Sequence, residues 1–230
     1  MTKELSSYYT YLNTNLLQHL PEKLGLVLDI GCGGGELGAA YKKANTACIW
    51  HGIDIHQEAI KHAKKNLDSA WVVDANTFKM NATMTKKKYD ALIYSLSLEQ
   101  LANPVDALIK HMKLLKKGGQ LFFCFPNIQH WSLIRHVISG NWEPSDRGIL
   151  QQDNQHFFTR KSFIKMVDSI DLKVTAMHRY SYESDPLFRR RRGARLKTME
   201  KLKAFCKDTN LYFNENDFRT YHFIMTTERK

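Results

Sequence analysis

Four cysteines, Cys32, Cys48, Cys124 and Cys206, are all that 230 residues contain, and none is paired in C-x-x-C spacing. That spacing argues against a disulfide framework and a cysteine zinc site, and fits free thiols in a reducing compartment. No apolar run approaches the ~20 residues that would span a bilayer. The opening Met1-Thr2-Lys3-Glu4-Leu5 has no basic stretch followed by an apolar one. No signal peptide is read there, and the expected location is cytoplasmic. Internal repeats and low-complexity tracts are also missing. Ten histidines are present, but not in ligand spacing. His130 and His136 fall on different faces of a helix, so no metal site is expected.

What is present in excess is positive charge, a formal +11. Such a surface favours anionic partners: nucleic acid, nucleotide-linked sugars, acidic glycans or a membrane surface. Solubility alone accounts for it equally well. With 43% hydrophobic residues the chain can bury one sizeable core. One domain over 1–230 is expected.

Apolar strand-like runs alternate with longer amphipathic stretches. Strands are expected at Leu24–Ile30, Ala47–Ile55, Trp71–Val73, Tyr89–Ser95, Gln120–Phe125, Leu172–Met177 and Tyr221–Thr226. Helices are expected at Glu36–Lys43, Gln57–Leu67, Val105–Leu115 (broken by Gly118-Gly119) and Lys161–Ile170. The alternation predicts a mostly parallel sheet with helices on both faces, its ligand beyond the C-terminal strand ends. The segment between the last two strands is unusually long. This basic insertion, 181–219, holds Arg189-Arg190-Arg191-Arg192, Arg195 and Lys197, then a helical stretch to about Cys206.

The first strand runs into Asp29-Ile30-Gly31-Cys32-Gly33-Gly34-Gly35-Glu36. Glycine accepts positive φ and lets backbone approach a nucleotide closely. A dinucleotide fingerprint begun at Gly31 and Gly33 would need glycine where Glu36 stands, so an NAD enzyme is disfavoured. The pattern D-x-G-x-G-x-G resembles motif I of the class I S-adenosylmethionine (SAM) methyltransferases. The resemblance implies a seven-stranded, Rossmann-like α/β fold, to which the long segment 181–219 adds an extended final hairpin, and SAM as cofactor with S-adenosylhomocysteine (SAH) as product.

Later strand ends extend it. Asp54 closes the second strand, where a carboxylate can accept both ribose hydroxyls, an arrangement that NAD enzymes share. Asp74-Ala75 closes the third. The family's matching acid approaches the adenine amino group; a turn-capping aspartate is the plainer alternative. The fourth ends Ser95-Leu96-Ser97-Leu98-Glu99-Gln100, similar to motif IV, with Gln100 where the family usually has histidine. The cofactor-binding residues expected are Asp29, Gly31, Cys32, Gly33, Gly35, Asp54, Ile55, Asp74, Ala75 and Ser95. Cys32 reads as a packing residue, since no base is evident beside it.

A closer resemblance runs through Tyr8-Tyr9, Asn13, Leu16-Leu17 and Pro21, then Pro126–Ser132, Asp146–Leu150 and Phe157–Arg160. These are similar to a bacterial methyltransferase subgroup associated with glycosyltransferases of surface-glycan synthesis. That subgroup usually carries histidine where Asn154 stands here. The segment 126–160 is the expected substrate and lid region.

Methyl transfer from a sulfonium depends on alignment and exclusion of water, and a hydroxyl acceptor also needs a base. His130 and His156 are the candidate catalytic residues; for both, a packing role is the plainer alternative. The arginine run reads either as a solvated face or as a phosphate grip. No C-x-x-x-C-x-x-C cluster supports radical SAM chemistry, and no Asn/Asp-Pro-Pro-Tyr motif supports DNA adenine methylation. The expected function is SAM-dependent O-methylation of a sugar or small-metabolite hydroxyl on an anionic small-molecule or glycan acceptor. An RNA methyltransferase and a non-catalytic SAM-binding module are the alternatives, with nucleic acid not favoured because aromatic residues are sparse in the basic stretch.

Overall fold

The computed structural model describes residues 6–78, 87–181, 192–209 and 213–230, with 192–196 and 198 described by backbone alone. In chain order the elements are α1 (Thr14–Leu17), β1 (Leu26–Ile30), α2 (Glu36–Ala44), β2 (Ile49–Asp54), α3 (Gln57–Asn66) and β3 (Ser69–Val72). Then come β4 (Tyr89–Ser95), a 3-10 turn (Leu98–Gln100), α4 (Pro104–Met112), β5 (Leu115–Pro126) and α5 (Trp131–Ile138). The chain closes with α6 (Arg160–Asp168), β6 (Leu172–Tyr180), α7 (Arg192–Asp208), α8 (Glu215–Arg219) and β7 (His222–Arg229).

The strands form one seven-stranded sheet in the order β3-β2-β1-β4-β5-β7-β6. The first five pair in parallel, and β7 runs antiparallel to both β5 and β6. This is the mostly parallel sheet expected from the alternating segments and the seven-stranded, Rossmann-like order that the resemblance implies. Strand order reverses between β1 and β4, and a ligand cleft forms at such a switch point.

Side chains alternate across the sheet because successive strand residues face opposite sides. On β5, Leu121, Phe123 and Phe125 join one core, whereas Phe122 and Cys124 join the other. The first core is closed by Ala107 and Leu108 of α4 and Phe163 and Val167 of α6. Phe125 stacks on Phe163 with ring centroids 4.2 Å apart. The second core takes Leu16 of α1, Leu37 and Tyr41 of α2, and Ile60 and Ala63 of α3. Each fully buried Leu, Ile or Phe side chain contributes roughly 1.5–3 kcal/mol, and the two cores hold the strand ends in fixed relation.

Local signals explain the boundaries. Asn103 caps α4 by accepting the Asp106 N–H at 3.1 Å, with Pro104 in the first turn. Thr159 and Ser162 form a reciprocal cap at the start of α6. One expectation is corrected. The helix before Gly118-Gly119 ends earlier, at Met112, and the glycines lie inside β5 rather than before it. The pairing jumps from Tyr89–Leu115 to Ala91–Gln120, so residues between bulge out, with Gly118 at φ +76°. The final hairpin is extended as expected, with α7 and α8 between its strands. The side chains of Arg189–Arg192 and Arg195 lie outside the described residues.

Candidate active site

The glycine loop joining β1 to α2 is a tight turn whose glycines Gly31, Gly33 and Gly35 all have positive φ, at +77°, +53° and +83°. At Gly33 the reason is also one of space: a Cβ there would stand 2.8 Å from the carbonyl oxygen of Tyr9. The N–H groups of this loop are used within the protein. Those of Gly31 and Cys32 donate to the Ile53 carbonyl at 2.8 and 3.0 Å. Gly33 donates to Asp54 Oδ2 at 2.9 Å, Gly34 to the Tyr9 carbonyl at 2.7 Å, and Gly35 to the Cys32 carbonyl at 2.9 Å. A loop with its donors spent this way is not a phosphate cradle. Glu36, in the first turn of α2, faces α3, with Oε1 3.4 Å from both His62 Nδ1 and Asn66 Nδ2. The loop suits a nucleoside ligand without a pyrophosphate.

Asp29 is 1% exposed, and Trp50 Nε1 donates to its Oδ2 at 3.3 Å. Its Oδ1 faces no hydrogen-bond partner among the described residues. Burial pushes this carboxyl up to about 7, and the nearby Asp54 charge adds to the effect. An ammonium group is the ligand chemistry that such a carboxylate lacks. Cys32 packs over Gly52, and burial, then Asp29 and Asp54, push its thiol well above the usual range. A thiol so raised is a poor nucleophile.

At the end of β2, Asp54 accepts the His56 N–H on Oδ1 at 2.8 Å as well as Gly33 on Oδ2. Its carboxylate is thereby oriented with lone pairs left toward the cleft. Asp74, after β3, accepts the N–H of Asn76 at 2.8 Å. Ala75 is held because His111 Nε2 lies 3.0 Å from its carbonyl, while His111 Nδ1 lies 2.7 Å from the Tyr94 hydroxyl. At the end of β4, Ser95 Oγ accepts from Asn13 Nδ2 at 3.0 Å. Leu96 follows at φ +58°, a strained backbone for leucine that turns the chain at the cleft.

These strand ends open onto one cleft of about 780 Å³. Asp29, Gly31, Cys32, Gly33, Asp54, Ile55, Asp74, Ala75 and Ser95 all line it. Gly35 does not; it starts α2 behind the loop. The roof comes from the N-terminal segment. Tyr9 stacks on His56 at 4.2 Å, and the Tyr8 hydroxyl accepts from Gln100 Nε2 at 2.8 Å and Gln151 Nε2 at 2.9 Å.

Residues 28–121 match the family model of a methyltransferase domain. The fold around them is that of SAM-dependent methyltransferases. One of that kind from Mesorhizobium loti superposes with a TM-score of 0.62 at 15% identity, covering 94% of this chain and 96% of that one. The plantazolicin methyltransferase BpumL, solved with SAH, superposes with a TM-score of 0.57 at 18% identity, covering 97% and 83%. In sequence, the chain is 26% identical over 149 residues to a ubiquinone biosynthesis O-methyltransferase of Shewanella sp. (strain ANA-3), and 27% over 158 residues to that of Vibrio atlanticus. The matches take in 64% and 66% of this chain and span 62% and 66% of those relatives' lengths. Those neighbours are SAM-dependent or were solved with SAH. The residues present in this cleft would fit such a ligand: an unsatisfied buried carboxylate could meet its amino group, and oriented carboxylates after β2 and β3 its ribose and adenine.

The two histidines expected to act in catalysis are not on the cleft wall. His130 is 1% exposed and caps α5, with Nδ1 2.7 Å from Ser132 Oγ and its ring edge-on to Tyr221 at 5.1 Å. His156 points back at the Ala102 carbonyl, 3.0 Å from Nε2. Asn154, where the subgroup's histidine would fall, donates to the Ile149 carbonyl at 3.3 Å and is also off the wall. Among the residues lining the cleft beside β4, β5 and β7 are Glu99, Gln100, Arg147, Gln151, Asp153, Gln155, Tyr221 and His222. Glu99 was legible as part of motif IV. His222 had no sequence signal, because only the antiparallel pairing of β7 brings its first residue to the end of β5.

Proposed function

We propose that the protein is a SAM-dependent methyltransferase that transfers methyl to a hydroxyl of a small organic acceptor, a sugar or a related anionic metabolite. The observation that carries the reading is the convergence of Asp29, Asp54, Asp74 and Ser95 on one cleft large enough for a nucleoside and an acceptor together. In this reading Asp29 takes the amino group, Asp54 the ribose hydroxyls and Asp74 the adenine amine. O-methylation is supported by the relatives named as O-methyltransferases.

The choice of acceptor rests on the other half of the cleft. Amides and aromatic hydroxyls from Gln100, Gln151, Gln155 and Tyr8 suit a polyhydroxylated ligand. Arg147 stands in the same wall with Asp153 and Glu99, so the preference for an anion rests on the net charge of +11. The resemblance of segments 126–132, 146–150 and 157–160 to methyltransferases of surface-glycan synthesis points the same way.

Transfer of label from methyl-labelled SAM to fractionated cell extract tests this. Label is expected in the small-molecule, nucleotide-sugar or glycan fraction. Label in RNA alone would refute the acceptor assignment. SAH binding with no labelled fraction would favour a cofactor-binding module.

A further inference from the structure

Glu99 lies in the 3-10 turn that follows β4 and is 2% exposed, yet it lines the cleft. Its Oε2 has no hydrogen-bond partner among the described residues. A buried polar atom left unsatisfied is costly, and the residue that carries this one lines the cleft. The turn that carries it is fixed. The Glu99 carbonyl accepts the N–H groups of Gln155 and His156, each at 2.9 Å, so the 145–156 loop is pinned onto the turn. The Gln100 side chain ties the next residue to Tyr8 in the roof. Strand order sets Glu99 on the β4–β5 side of the switch point, away from Asp54 and Asp74 at the ends of β2 and β3. With the nucleoside assigned to those two carboxylates, Glu99 belongs to the acceptor half.

We propose that Glu99 is a catalytic residue that binds the reacting hydroxyl of the acceptor and takes its proton during methyl transfer. The assignment rests on the methyltransferase reading above. The acceptor's O–H bond breaks and its proton passes to the Glu99 carboxylate. The freed oxygen lone pair forms the new O–C bond. The electron pair of the broken S–C bond stays on sulfur, leaving a neutral thioether, and Glu99 releases its proton to water afterwards. Burial pushes the carboxyl up to about 8, and a base transfers protons best when its pKa lies near the working pH.

The test compares the full-length chain with E99Q, which keeps size and hydrogen bonding but cannot take the proton. Methyl-labelled SAM and fractionated cell extract serve as donor and acceptor. Labelling of the wild-type acceptor fraction is expected to fall at least ~100-fold in E99Q, the scale of a lost general base. SAH affinity by calorimetry is expected to stay within about twofold, as for a residue outside the nucleoside half. The pH profile is the second readout. Wild-type labelling is expected to rise about tenfold per pH unit up to about pH 8, as the Glu99 carboxylate forms, and E99Q is expected to lose that dependence. E99Q labelling within about threefold of wild type, or a wild-type profile that is flat below pH 8, overturns the assignment. If wild type binds SAH but labels no fraction, the methyltransferase reading fails first and this assignment with it.

Discussion

Replacing Asp54 with alanine separates the cofactor model from a merely structural aspartate. The carboxylate has two duties in the structure: it accepts the backbone N–H of Gly33 at 2.9 Å and that of His56 at 2.8 Å. The cofactor model adds a third, the ribose hydroxyls. A hydrogen bond to a charged group contributes about 1.5–3 kcal/mol. Water can reach the half-buried site and recover part of the two backbone bonds, so D54A is expected to lose about 1–2 kcal/mol of folding stability. Loss of the ribose contact adds about 1–3 kcal/mol to binding, a 5- to 150-fold rise in the dissociation constant for SAH. Calorimetry with SAH and its 2′-deoxyribose analogue resolves the two effects. Wild type is expected to discriminate between the ligands and D54A to bind both alike. If D54A binds SAH within twofold of wild type, or still discriminates, the ribose assignment is wrong.

Three further outcomes follow from the packing and the buried charges. G35A combines a φ of +83° with a Cβ 2.8 Å from Leu67 Cγ, so a loss of about 2–5 kcal/mol is expected in urea unfolding; a loss below about 1 would refute the strain argument. N127A removes a fully buried amide whose Nδ2 donates to the carbonyls of Asp217 and Thr220 at 2.7 and 2.8 Å, and about 2–4 kcal/mol should be lost by the same measurement. E99Q tests the buried carboxyl through stability. The folded protein holds the Glu99 proton to about pH 8 whereas the unfolded chain releases it near 4.5, so wild type loses stability from this group as pH rises between the two values. The variant lacks that loss, and its stability relative to wild type should climb across the window by up to about 4 kcal/mol. A pH-independent difference would show that Glu99 titrates normally.

The candidate site was legible where chemistry is local. Asp29 through Gly35 form one turn, and a positive φ at three glycines is a backbone property that a single segment carries. Asp54, Asp74 and Ser95 were found because parallel strands must end on the same edge of a sheet, so strand-end residues share a cleft wherever their strands lie in the order. His130 and His156 were placed by chain proximity to β5 and to the 126–160 segment. Proximity does not fix direction: the first became a helix cap and the second a loop anchor.

Periodicity and turn residues by themselves determined the seven strands, their alternation with helices and the side of the sheet where a ligand binds, since each follows from short-range burial patterns. The tertiary structure alone decided which groups line the β4–β5 half of the cleft. Burial of Glu99 depends on the 145–156 loop closing over the turn through its own N–H groups, some fifty residues away in sequence. His222 reaches the cleft only through the reversed pairing of β7 with β5. Desolvation, which raises the Asp29 and Glu99 carboxyls, is a sum over atoms brought together from the whole chain, and no window of sequence contains it.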